Sequence, residues 1–234
     1  MYTGAPPDSP RKVYWAVGLP RMLHWFEADM LMMVARHTQP SYIRLRQPFP
    51  VRVNKFRAQI IRQFLKLSEN PKDVLVLLDV DHAHPEQIVN WLASPEFDFP
   101  VFMALTFKRA MAFPVPVMLN YDQGWEQPPS HVVEYTPGEI VACDRGATAA
   151  FAVQRWVYQA MVNELIVPED MFTYEGEEDC DKHFAKLCYE LIGKQHVNTG
   201  IVSPHLLDLP QWVGPEQFDA WAKTQGYGGV VSAP

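Results

Sequence analysis

The sequence predicts an α/β fold with a mostly parallel central sheet and a small antiparallel portion, and three observations carry that prediction. Val74-Leu-Val-Leu-Leu78, set between Asp73 and Asp79, is the pattern of a strand buried on both faces, as inside a parallel sheet. A helix opening at Pro85 and a second apolar run over 99–107 follow it, giving strand, helix, strand. Residues 112–144 then turn proline-rich, with short β-type runs and a Thr136-Pro-Gly turn, which predicts antiparallel pieces and loops.

The remaining elements fall around this centre. Lys12–Gly18 reads as a first strand, with a loop at 19–23 and a helical stretch about His24–Arg36 carrying Phe26, Met30, Met33 and Val34. A helix over 53–67 places Phe56, Ile60, Phe64 and Leu67 on its apolar side and Arg57, Arg62, Gln63 and Lys66 opposite, with Pro71 as the stop. Ala149–Met161 reads as a strand running into a helix. Residues 183–192 form a helix burying Phe184, Leu187, Cys188 and Leu191, 196–202 a last strand, and 215–223 a further helix. With no linker in sight, 1–234 is expected to be one domain, with a loose tail at 1–11 and a C-terminal extension at 207–234.

Composition narrows the classes. Hydrophobic residues at 48% and charged residues at 20% place the chain among globular proteins rather than disordered ones. The net charge of −7 gives no general attraction to nucleic acid. Cys143, Cys180 and Cys188 include no C-x-x-C pair, which excludes a disulfide framework or cysteine zinc site and fits a cytoplasmic location. The apolar runs are too short for a membrane span, and the N-terminus lacks the apolar core of a secretory signal.

Chemistry concentrates at Asp79-Val-Asp81, directly after the buried strand. Ligands of open α/β sheets bind just beyond the carboxyl ends of the strands. Two carboxylates there are hard oxygen ligands for Mg²⁺ or Mn²⁺, and such an ion can bridge the phosphates of a nucleotide diphosphate. The plainer alternative is an acid pair capping the strand and the helix at Pro85. His82 and His84 add two imidazoles, which shift metal preference toward manganese or zinc. At most one is expected on a metal, the other roles being support of the site, substrate contact or a plain loop residue.

The segment VLLDVDHAHPEQIVNWLAS (76–94) resembles the D-x-D region of GT-A glycosyltransferases, especially family-2-like bacterial and phage members. FPVFMALTFKR (99–109) is similar to their next strand, and GEIVACDRGATAAFAVQRWVY (138–158) to their glycine-containing loop, strand and helix. Glu177-Glu178-Asp179 falls at the family's x-E-D motif and His205, in Ser203-Pro-His-Leu, at its C-terminal histidine. The resemblance spans roughly 12–206, departing in a slightly expanded stretch after x-E-D.

That resemblance implies a GT-A-like three-layer α/β/α sandwich and transfer of a sugar from a nucleotide-sugar donor, UDP-sugar favoured, with a divalent cation, Mn or Mg. The acceptor would be a glycan, a small molecule or, as in phage enzymes, a modified DNA base. Asp81 and His205 would be metal ligands, with Asp79 on the metal or the ribose. Asp179, or Glu178 as second choice in the acidic run, would be the base of an inverting reaction. Pro20 and Arg21 would contact the nucleotide base, and Arg57 would face the nucleotide, unless it lies on a solvated helix face. Lys108 and Arg109 would neutralise the diphosphate or cap their strand. Asp144, Arg145 and Gly146 would lie near acceptor or sugar, Gly146 permitting close backbone approach. Trp125 would stack on a sugar or pack on the core. The competing readings are a haloacid-dehalogenase-like phosphatase and a non-catalytic nucleotide-sugar-binding protein.

Overall fold

A computed structural model describes residues 10–18, 25–46, 52–109, 114–173, 180–206 and 212–227. In chain order the first half runs β1 (Val13–Val17), α1 (Trp25–His37), β2 (Ile43–Arg44), α2 (Val53–Leu67), β3 (Val74–Leu78), α3 (Ile88–Leu92) and β4 (Val101–Leu105). Short strands follow as β5 (Met118–Asn120), β6 (Ser130–His131), β7 (Ile140–Cys143) and β8 (Arg145–Gly146). The chain continues through β9 (Ala150–Gln154), α4 (Arg155–Asn163), α5 (Cys180–Ile192), β10 (Gln195–Val202), β11 (His205–Leu206), β12 (Trp212–Val213) and α6 (Pro215–Thr224).

The central sheet has the order β2-β1-β3-β9-β4-β10-β7, and β5, β6 and β8 form a small antiparallel sheet. Five of the seven central strands point one way; β9 and β7 run against their neighbours. The strand–helix–strand reading of β3 to β4 therefore needs a correction. The two strands are not neighbours, because β9 comes from far downstream and pairs antiparallel with both. Pro85 likewise opens a turn, closed by the Ile88 amide on its carbonyl at 3.0 Å, and α3 begins only at Ile88.

Every residue of β1, β3, β4 and β9 is buried, as expected for strands covered on both faces. One face packs Tyr14, Leu75, Leu77, Phe151 and Val153 against α2, α4 and α5. The other packs Val13, Trp15, Val74, Val76 and Phe102 against α1 and α3. The result is three layers, α/β/α, with a mostly parallel sheet and an antiparallel annex. Among the described residues no helix is long and apolar enough to cross a membrane.

Candidate active site

The carboxyl end of β3 opens into a cavity of about 740 Å³. Asp79, Asp81, His82, Asp181 and His205 line one side of it, and Lys108, Arg109, Tyr121, His131, Arg145 and Lys182 line others. Asp79 is fixed at the mouth by its amide, which donates to the Ala149 carbonyl at 2.7 Å, so β9 sets where the D-x-D segment leaves the sheet.

Beyond Asp79 the chain is zipped to the segment after β10. The Ala83 amide donates to Pro204 O at 2.8 Å and the Leu206 amide to Asp81 O at 2.9 Å, with His82 and His205 bridged as antiparallel partners. β12 pairs on the far side of β11. This small ladder brings Asp81 and His205 together across the sequence: His205 Nε2 stands 3.2 Å from Asp81 Oδ2. His82 stacks on His205 with ring centroids 4.2 Å apart, and its Nδ1 lies 3.0 Å from Asp81 Oδ1. One ligand atom from each of Asp81, His82 and His205 lies within 4.8 Å of the others, which makes them a candidate metal-holding group.

The donor chemistry fits a cation. His205 Nδ1 sits 3.4 Å from the Phe107 carbonyl, an acceptor only. With the ring proton on Nδ1, Nε2 and the Asp81 carboxylate offer electron pairs to a shared cation; with it on Nε2, the ring donates to Asp81 instead. A carbonyl behind the imidazole is the usual support of a ligating histidine. Burial alone would raise the Asp81 carboxyl, but hydrogen bonds from His205 and His82 hold it well below the usual carboxylate range. Burial lowers His82, against the pull of Asp81.

His84, two residues on, has a different environment. It is buried, its Nε2 lies 2.6 Å from Asp79 O and its Nδ1 2.7 Å from Ser203 Oγ. A carbonyl only accepts, so Nε2 carries the hydrogen and the Ser203 hydroxyl donates to Nδ1. Burial, reinforced by His82, pushes His84 down to about 3, so the ring is neutral.

Arg57 requires a correction. It is neither on a solvated helix face nor in the cavity lining, but 2% exposed inside the protein. One Nη donates to Asp181 Oδ1 at 2.9 Å; the other donates to Asp79 Oδ2 and to Thr148 O, both at 3.0 Å. Its guanidinium carbon lies 4.9 Å from the Phe172 ring centroid. The helical wheel explains this: residues 57, 61 and 64 share a face, and Phe56, Arg57, Ile60, Ile61 and Phe64 are all buried. Asp181 also accepts from the Thr148 hydroxyl. Burial would raise Asp181, yet Arg57 and Thr148 bring it below its ordinary value, whereas for Asp79 burial wins and pushes it up to about 7. Of the two acids on one guanidinium, Asp181 is the better held as a carboxylate.

Other expected site residues divide. Lys108 and Arg109 line the cavity, Arg109 with a nitrogen 4.0 Å from Asp81 Oδ2. Gly146 does not line it. A Cβ there would collide with Met103 Sδ and meet Val197 Cγ2 at 3.0 Å, so the missing side chain makes room for the core of the sheet. Asp144 is buried and accepts from the Tyr121 amide at 2.7 Å, holding the end of β5. Trp125 stacks on Tyr121 at 4.2 Å, packing behind the cavity wall. Pro20, Arg21, Glu178 and Asp179 lie outside the described residues. Thr148, Asp181 and Ser203 were not singled out in the sequence. Only Asp181, the last acid of the run and part of the first turn of α5, carries any signal.

No protein-family model matches the sequence, and no curated protein matches it. Solved structures do. The chain is similar to A197 from STIV, with a TM-score of 0.53 and 13% identity over 89% of this chain and 92% of that one. It is also similar to GalNAc-T7, crystallised with UDP, GalNAc and Mn²⁺, with a TM-score of 0.56 and 12% identity over 85% of this chain. The match covers 44% of the GalNAc-T7 chain, so this chain spans less than half its length. These likenesses show a GT-A-type fold.

Proposed function

We propose that the protein is a metal-dependent glycosyltransferase that moves a sugar from a nucleotide-sugar donor to an acceptor hydroxyl. The observation that carries this reading is the meeting of Asp81, His82 and His205 beside Asp79, at the carboxyl end of β3 in a GT-A-type fold. UDP is the favoured nucleotide, supported by the UDP and Mn²⁺ bound in GalNAc-T7. Asp81, His205 and His82 would hold the cation, and two imidazoles beside one carboxylate favour manganese over magnesium. When bound, such an ion stabilises the diphosphate leaving group.

The chain's own residues supply the rest. Arg57 holds Asp79 and Asp181 in fixed positions, which leaves Asp79 at the cavity edge for the ribose. Arg109 and Lys108 add positive charge on the diphosphate side. Asp179, with Glu178 as the alternative, is assigned as the base because it precedes α5, whose Asp181 faces the same cavity. It takes the acceptor proton as the hydroxyl attacks the anomeric carbon, with inversion. The family-2-like affiliation rests on the order of motifs, and the assignment of the chain as one domain belongs to the same reading. So does a cytoplasmic setting, suited to three buried free thiols.

A cavity walled by Tyr121, Pro128 and Pro129 favours a glycan or small acceptor over duplex DNA. A phosphatase using Asp79 as nucleophile is disfavoured by the Arg57 hydrogen bond on its carboxylate. The test is a panel of UDP-, GDP-, CMP- and dTDP-sugars with Mn²⁺, Mg²⁺ or EDTA, reading free nucleotide for the parent and Asp81→Ala. Metal-dependent turnover of one donor, abolished in Asp81→Ala, is expected. A folded protein that binds none of them refutes the transferase reading.

A further inference from the structure

The two sides of the candidate metal site lie 124 residues apart in the sequence, and the backbone ladder that joins them is backed by a side chain. Asp81 leaves β3 through Asp79; His205 leaves β10 through Ser203 and Pro204. One side chain touches both exits. His84 donates from Nε2 to the Asp79 carbonyl at 2.6 Å and accepts at Nδ1 from the Ser203 hydroxyl at 2.7 Å. Ser203 is itself 0% exposed and anchored to the sheet, its amide donating to Leu105 O at 2.8 Å. The His84 backbone amide donates to Met30 Sδ on α1 at 3.1 Å, which holds the main chain that carries the ring.

We propose that His84 is a positioning residue: its imidazole is a rigid spacer that sets the separation of Asp81 and His205. The inference rests on the metal site proposed above. It follows from three features. The ring is a donor on one edge and an acceptor on the other, so both bonds form only when the two exits stand one imidazole apart. The ring and Ser203 are both buried, so water does not replace the bond between them readily once it is lost. The clamp also acts where the Ala83–Pro204 and Asp81–Leu206 bonds begin, immediately before the ligands themselves. His84 touches neither metal nor substrate; it acts through the Asp79 carbonyl and Ser203.

The test compares the parent with His84→Gln, which keeps a donor for Asp79 O, and Ser203→Ala, which cuts the clamp at its other end. Mn²⁺ affinity is measured by electron paramagnetic resonance well below each melting temperature, and exchange of the Ala83 and Leu206 amides is followed without metal. Each single variant is expected to weaken Mn²⁺ binding about tenfold, as loss of a support behind a ligand does. The double variant should be little worse than His84→Gln, since both remove one unit. Both amides should exchange faster. Unchanged Mn²⁺ affinity in either folded variant overturns the positioning role, even if exchange speeds up, because a merely structural residue gives that result. If His84→Gln fails to fold, Ser203→Ala, lacking only a hydroxyl, carries the test. A parent that binds no Mn²⁺ overturns the metal reading and this role with it, which separates the two failures.

Discussion

Replacing Arg57 with Met removes the guanidinium that bonds both Asp79 and Asp181. The side chain is 2% exposed and donates to two carboxylates and one carbonyl. Breaking a buried ion pair by removing one partner costs about 3–5 kcal/mol, because the remaining charge stays uncompensated. Here the carboxylates are 25% and 29% exposed, so solvent relieves part of that cost, and the lower end, about 3 kcal/mol, is expected. For a chain of this length that corresponds to a fall in melting temperature of roughly 6–12 °C. The assay is urea and thermal unfolding followed by circular dichroism in metal-free buffer. Arg57→Lys should recover only part of the loss, since a compact ammonium does not span the same acceptors as the guanidinium fork. Arg57→Met combined with Asp181→Asn should be less damaged than Arg57→Met alone. An Arg57→Met protein within roughly 1 kcal/mol of the parent would refute the bridge as a determinant of this site.

Stability should also report on His84. Its folded form takes a proton only near pH 3, whereas the unfolded histidine does so near 6.5. The contribution is therefore complete above pH 6.5 and is lost as pH falls toward 3, at about 1.4 kcal/mol per unit. Urea titrations at several pH values should show a shallower acid slope for His84→Gln; equal slopes would count against a neutral buried ring. Gly146→Ala should cost about 1–3 kcal/mol, from its contacts with Met103 and Val197. In a Met103→Ala background, itself costly because Met103 is fully buried, the same glycine change should cost less than in the parent, and an equal cost in both would remove the steric explanation.

Local elements were legible where one physical rule acts alone. The Val74–Leu78 run and the helix at Val53–Leu67 follow from apolar patterning and match the observed bounds. Arg57 shows where patterning fails. An arginine scores as polar on a helical wheel, and nothing near it in sequence reveals two acids waiting 22 and 124 residues away. Pairing of strands was less visible still. β9 reads as a strand, but its place between β3 and β4 is a tertiary choice that no periodicity encodes. At the site, Asp79 and Asp81 stand out because they end a buried strand. His205 was reachable only through the order of motifs, because its meeting with Asp81 depends on a ladder of backbone bonds. His82 and His84 are indistinguishable by spacing and are separated only by what surrounds them.

The position of β9 bears on how the chain is made. During synthesis β3 and β4 leave the ribosome before the strand that joins them, so each holds an open edge facing a vacant slot. Val76 must wait for Ala152, and Phe102 for the same residue on its other side, before the middle of the sheet closes. Such late, non-local closure slows folding and leaves apolar edges available to other nascent chains. The same closure delivers the Ala149 carbonyl to Asp79 and the Thr148 carbonyl to Arg57. A chain interrupted before Ala150 therefore lacks both an intact sheet and the contacts that orient Asp79 and Arg57, and the candidate active site is complete only after β10 and His205 have followed β9.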